Sequence, residues 1–112
     1  MQMLHKIGAY LAVALGTVHL LFTFFAYNKF THNTLWFIGS GLAIITAGFL
    51  NIVIFRLTNS DRVSLLLCLL TNALFTILFA LALTILPEPQ VWFGTTLFTL
   101  LTFVTGRKYL TQ

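Results

Sequence analysis

The chain has 112 residues, 59% of them hydrophobic and only 7% charged, with a mean hydropathy of +0.98 and a formal net charge of +4 at pH 7. An ordinary soluble domain carries about 25% charged residues, so a water-soluble monomer is excluded. A chain this short cannot hide so much apolar surface in a core of its own, and lipid is the solvent its composition requires.

A helix needs about 20 mostly apolar residues to cross a hydrocarbon layer of about 30 Å. Uncharged runs of that order stand at residues 7–27, 35–55, 63–86 and 91–105, which places spans at about 7–27, 35–56, 63–86 and 90–106, the fourth being the least apolar. Helices are expected because each run exceeds a barrel strand and an isolated strand leaves its backbone groups unpaired in lipid. The links are short, which makes neighbours antiparallel. The predicted fold is all-α: one polytopic membrane domain, residues 1–112, built as an up-down-up-down bundle of four transmembrane helices.

In the first run, Ala12-Val13-Ala14 has the look of a signal-cleavage triplet, but only residues 7–11 precede it as an apolar stretch, so the segment is read as retained. Gly8, Ala12 and Gly16 recur every four positions, and His19, Thr23 and Tyr27 continue on the same side, giving one inward face of small and polar residues. The link at 28–34 offers Asn33 and Thr34 as N-caps. In the second run Ser40 lies between Gly39 and Gly41 below Trp36, Gly41 and Gly48 allow close helix approach, and Asn51 lies at membrane depth. Asn59, Ser60 and Asp61 punctuate the next link. The third run carries Cys68 and Asn72. Pro89 then stands where a fourth helix begins, and that helix carries five threonines, of which Thr95, Thr99 and Thr102 share a face with Gly106.

Basic residues set the orientation. Lys6, Arg56, Arg62, Arg107 and Lys108 fall on one side and Lys29 on the other, so both termini are expected in the cytoplasm, in a bacterial-type plasma membrane. Tyr27, Trp36 and Trp92 at the outer boundary and Tyr109 at the inner one agree with that placement. The sequence pI of about 9.7 reflects these topology signals; no dense basic patch or basic helix indicates nucleic acid.

Polar groups at membrane depth are the candidate site residues: His19, Asn72, Asn51, Ser40, Trp36, Thr95 and Thr99. Measured from the middle of each run, His19 lies roughly 3 Å toward the outside, Asn72 roughly 3 Å and Asn51 roughly 7 Å toward the inside. His19 and Asn72 are therefore expected to meet, as an interhelical hydrogen bond or as the lining of a polar cavity. Ser40 reads as a packing residue or the wall of an outer pocket, and the threonines as hydroxyls bonded one turn back or as an interface. No metal site is expected: His5 and His32 belong to opposite ends, and Cys68 is about 12 Å from His19 in depth. A lone Cys forms no intrachain disulfide. Asp61 and Glu88 have no carboxylate partner, no nucleophile accompanies His19, and phosphate-binding glycine motifs are missing, so no catalytic residues and no cofactor are assigned. Haem held by His19 of two copies is the one cofactor arrangement the pattern leaves open. The expected activity is binding, of a partner membrane subunit or of an apolar small molecule or lipid. The alternative is a transporter or channel formed by a parallel homo-oligomer and lined by His19, Asn72 and the Thr-rich fourth helix.

Overall fold

The computed structural model describes residues 1–112 and contains four helices, α1 Gln2–Ala26, α2 His32–Arg56, α3 Arg62–Leu83 and α4 Pro89–Thr111. α1 starts before the uncharged run, taking His5 and Lys6 into its first turns. α2 is capped by Thr31 rather than by Asn33 or Thr34. Starting there lets Thr31 accept from the Thr34 backbone N–H while the Thr34 hydroxyl accepts from the Thr31 N–H, a reciprocal box. Asp61 caps α3, accepting from the Ser64 N–H at 3.1 Å and the Ser64 hydroxyl at 2.5 Å. The Ser64 hydroxyl, followed by that N–H, holds the Asp61 carboxyl below its ordinary value. Pro89 opens α4, where its missing N–H leaves no bond unmade.

α1, α2 and α3 are long and apolar enough to cross a membrane. α4 has 23 residues and the same length class, but it does not reach that hydropathy, because six threonines, Arg107 and Lys108 dilute it. By this measure the four expected spans become three.

The helices form two antiparallel hairpins packed in different ways. α1 and α2 touch backbone to backbone: a Cβ added at Gly16 would lie 2.7 Å from the Ile45 nitrogen and 2.8 Å from the Gly41 oxygen, and one at Gly48 would lie 2.9 Å from the Val13 nitrogen. The small residues spaced along α1 and α2 thus form the contact that their spacing predicts. α3 and α4 are held by aromatic packing. Phe75 and Phe79 stack on Phe98 at 4.9 and 5.7 Å, and a Cβ on Gly94 would lie 2.3 Å from the Phe79 ring. Ala12, Ile44, Ala47, Leu97, Phe98 and Leu101 join the hairpins in one buried apolar cluster at mid-height.

The molecule measures 48 × 24 × 22 Å. Its periphery is apolar: Phe24, Phe25, Ile85 and Leu110 are each more than four-fifths exposed.

Candidate functional site

Above and below the mid-height cluster lie two different environments. At the end of the bundle away from the termini the hairpins separate, leaving a groove of about 1020 Å³ between them. All four helices line it, largely with apolar side chains such as Val18, Phe22, Ala43, Leu78, Ala82 and Val91. Glu88 and Gln90, from the start of α4, bring polar groups to its wall. Ile44, Phe75 and Phe79 belong both to its lining and to the central packing, so they form its floor.

His19 and Phe37 project into this groove from α1 and α2. Their rings stack with centroids 3.9 Å apart and planes 17° apart. The face at Gly41 admits the imidazole, since a Cβ there would lie 3.3 Å from the His19 Cδ2. The His19 Nε2 is buried and has no hydrogen-bond partner. Such an unpaired group costs about 1–3 kcal/mol. Ser40 and Trp36 also line the groove, the Ser40 hydroxyl donating to the Trp36 carbonyl at 2.9 Å.

On the opposite side of the cluster is a buried polar network with members from every helix. The Lys108 Nζ on α4 lies 2.8 Å from the His5 Nδ1 on α1, and the His5 Nε2 lies 3.0 Å from the Asn51 Oδ1 on α2. That oxygen also accepts from the Asn72 Nδ2 on α3 at 2.9 Å and from the Cys68 thiol at 3.3 Å. In return the Asn51 Nδ2 donates to the Asn72 Oδ1 and the Ala47 carbonyl, both at 2.8 Å. Asn72 reaches the Thr105 hydroxyl at 3.4 Å. His5, Asn51, Cys68, Asn72 and Thr105 are all 0% exposed, so every donor here must be matched within the protein. An amide oxygen only accepts, which places the His5 proton on Nε2 and leaves Nδ1 to accept from the Lys108 ammonium.

The expected meeting of His19 with Asn72 does not occur. Asn72 pairs with Asn51 because the two differ by only about 4 Å in expected depth, against about 6 Å for His19 and Asn72. The Thr95 and Thr99 hydroxyls donate one turn back, to the carbonyls of Val91 at 2.8 Å and Thr95 at 2.7 Å, and neither residue lines the groove. Thr102 instead meets Thr76 of α3 at 3.1 Å. Sequence reasoning assigned His5 to the watery rim and Lys108 to topology alone. The available signal was periodicity: with α1 begun at Gln2, His5 falls on the buried face of Ala9, Ala12 and Gly16. No cluster of three His, Cys, Asp or Glu side chains forms anywhere in the chain.

Comparison of the chain with protein-family models, curated proteins and solved structures finds no match.

Proposed function

We propose that this is a small integral membrane protein that binds a lipid-soluble small molecule in the groove beside His19. All four helices cross the bilayer in this reading, with both termini on the cytoplasmic side of a bacterial-type plasma membrane. The exposed apolar periphery supports lipid as the solvent. For α4, support comes from its length and from threonine hydroxyls bonded within the helix, which leave few polar groups for the lipid to satisfy. The five basic residues near the termini, against Lys29 at the other end, support the orientation.

The observation that carries the binding reading is the groove itself: about 1020 Å³ of mostly apolar space with the His19 imidazole in its wall. Apolar walls supply the area to be buried, and a few polar groups fix orientation. The layer of Ile44, Phe75 and Phe98 between the groove and the inner network favours a dead-end binding site over a path for solutes. A channel lined by His19, Asn72 and α4 therefore requires a parallel homo-oligomer, because within one chain those two residues lie on opposite sides of that layer.

Gly39 provides the test. It lines the groove, and a Cβ added there meets nothing within 4 Å, so Gly39→Leu fills the groove without disturbing helix packing. In a Trp92→Phe background, Trp36 is the only indole and reports on the groove. Dodecylphenol is expected to quench Trp36 emission saturably, and Gly39→Leu to weaken that binding about tenfold or more, as loss of a few buried methylenes implies. Equal quenching in both proteins, or none in either, would refute the proposal.

A further inference from the structure

We infer that the end of the bundle carrying both termini holds a second, separate site: a seat for a phosphate group in the pocket beside Lys108. The pocket has a volume of about 210 Å³ and its polar lining comes from Lys108, Gln2, Thr58, Ser60, Thr111 and Gln112. It is separated from the outer groove by the full mid-height cluster and shares no lining residue with it.

Charge balance is the first argument. Lys108 is half-buried, and its one partner in the fold is the neutral His5 imidazole. The chain has two acidic side chains and neither can serve it, and the Gln112 main-chain oxygen at this end accepts from Arg62 at 3.4 Å. Asp61 is committed to the Ser64 amide and hydroxyl, and Glu88 sits at the opposite end of the bundle beside Gln90. Neither lines the pocket. Meanwhile Lys6, Arg56, Arg62 and Arg107 crowd the same end, with Arg62 fixed over the Tyr109 ring at 4.2 Å. A half-buried ammonium in a positive field with no acidic side chain beside it calls for an anion from outside.

Donor placement is the second argument. One Lys108 N–H is given to His5, which leaves two for the pocket and fixes where the ammonium sits. Gln2 and Gln112 each donate one amide hydrogen, to the Phe55 and Ser60 carbonyls, and each keeps a second. The Thr58 hydroxyl adds a further donor. The Ser60 and Thr111 hydroxyls are occupied with the Ile54 and Arg107 carbonyls. Donors arriving from several directions at one ammonium suit a tetrahedral group with several acceptor oxygens, which a halide or a planar carboxylate satisfies less completely. The pocket lies at the end of a bundle about as long as a bilayer is thick, so the phosphate group comes either from a phospholipid headgroup or from solution.

The experiment uses the full chain in maltoside micelles, which contain no phosphate, and follows thermal unfolding together with the 15N shift of the His5 Nδ1. Inorganic phosphate is titrated against chloride at equal ionic strength, and phosphatidylglycerol is added in a parallel series. At least one phosphate source is expected to raise the unfolding temperature and move the His5 signal, with affinity falling about tenfold in Lys108→Gln. Lys6→Gln, which removes the same charge from the same end outside the pocket, is expected to change it less than about twofold. Should Lys108→Gln fail to fold, Thr58→Val in the exposed link is expected to weaken binding while leaving the fold intact. A response to inorganic phosphate alone identifies a free anion, a response to the lipid alone a headgroup, and a response to both the phosphate group itself. No response to either source, or equal loss in Lys6→Gln and Lys108→Gln, would overturn the inference.

Discussion

Asn51 and Asn72 face each other as a reciprocal amide pair, yet replacing them is expected to have unequal effects. Asn51→Leu strands three buried groups at once: the His5 Nε2–H loses its acceptor at 3.0 Å, the Asn72 Oδ1 loses its donor at 2.8 Å, and the Cys68 thiol, a weak donor, loses its acceptor at 3.3 Å. Each stranded group costs about 1–3 kcal/mol, although interhelical polar contacts in bilayers average only about 0.6 kcal/mol, so the lower part of the range applies and the expected loss is about 2–3 kcal/mol. Asn72→Leu strands less: one of the two Asn51 Nδ2 hydrogens loses the Asn72 Oδ1, and the same nitrogen still donates its other hydrogen. The Asn51 Nδ2 keeps the Ala47 carbonyl, its Oδ1 keeps His5 and Cys68, and the Thr105 hydroxyl keeps the Leu101 carbonyl. Its cost is expected to be about 0.5–1 kcal/mol. The double variant leaves the His5 N–H and the weak Cys68 S–H donor unpaired and is expected to be no less stable than Asn51→Leu alone. Reversible unfolding in mixed micelles, followed by far-UV circular dichroism, measures all three differences. If Asn72→Leu proves as costly as Asn51→Leu, or the two losses simply add, Asn51 is not the hub of the network.

Two further outcomes follow from the helix contacts and caps. Gly16→Ala pushes a Cβ into backbone atoms that cannot yield, and a loss of about 1–3 kcal/mol is expected, whereas Gly39→Ala enters open space and is expected to be neutral or to stabilise by up to about 1 kcal/mol; the same unfolding assay ranks them. The Asp61 cap holds its carboxyl below the ordinary value, so its contribution is complete above the unfolded-state pKa and disappears as pH falls through the lower folded-state value. Asp61→Asn is expected to flatten the acid side of the stability profile, to a small extent because the group is exposed, and a pH series of unfolding midpoints for both proteins shows whether it does.

The sequence by itself determined the all-helical class, the antiparallel order and the approximate helix positions, because these follow from run length, hydropathy and turn residues that act locally. Pro89 and Asp61 were legible as helix starts for the same reason, and the spacing of Gly8, Ala12 and Gly16 marked a close-packed face. Partner choice was not legible. Asn51, Asn72 and His19 all carried the same signal, a polar side chain at depth. Only the relative height and rotation of the packed helices joined the two amides to His5 and left His19 against Phe37. Those offsets are set by contacts between segments far apart in the chain, the glycine seam of α1 with α2 and the phenylalanine stack of α3 with α4. The groove is likewise a product of assembly, since it exists because two hairpins, each tightly packed within itself, meet at mid-height and part above it.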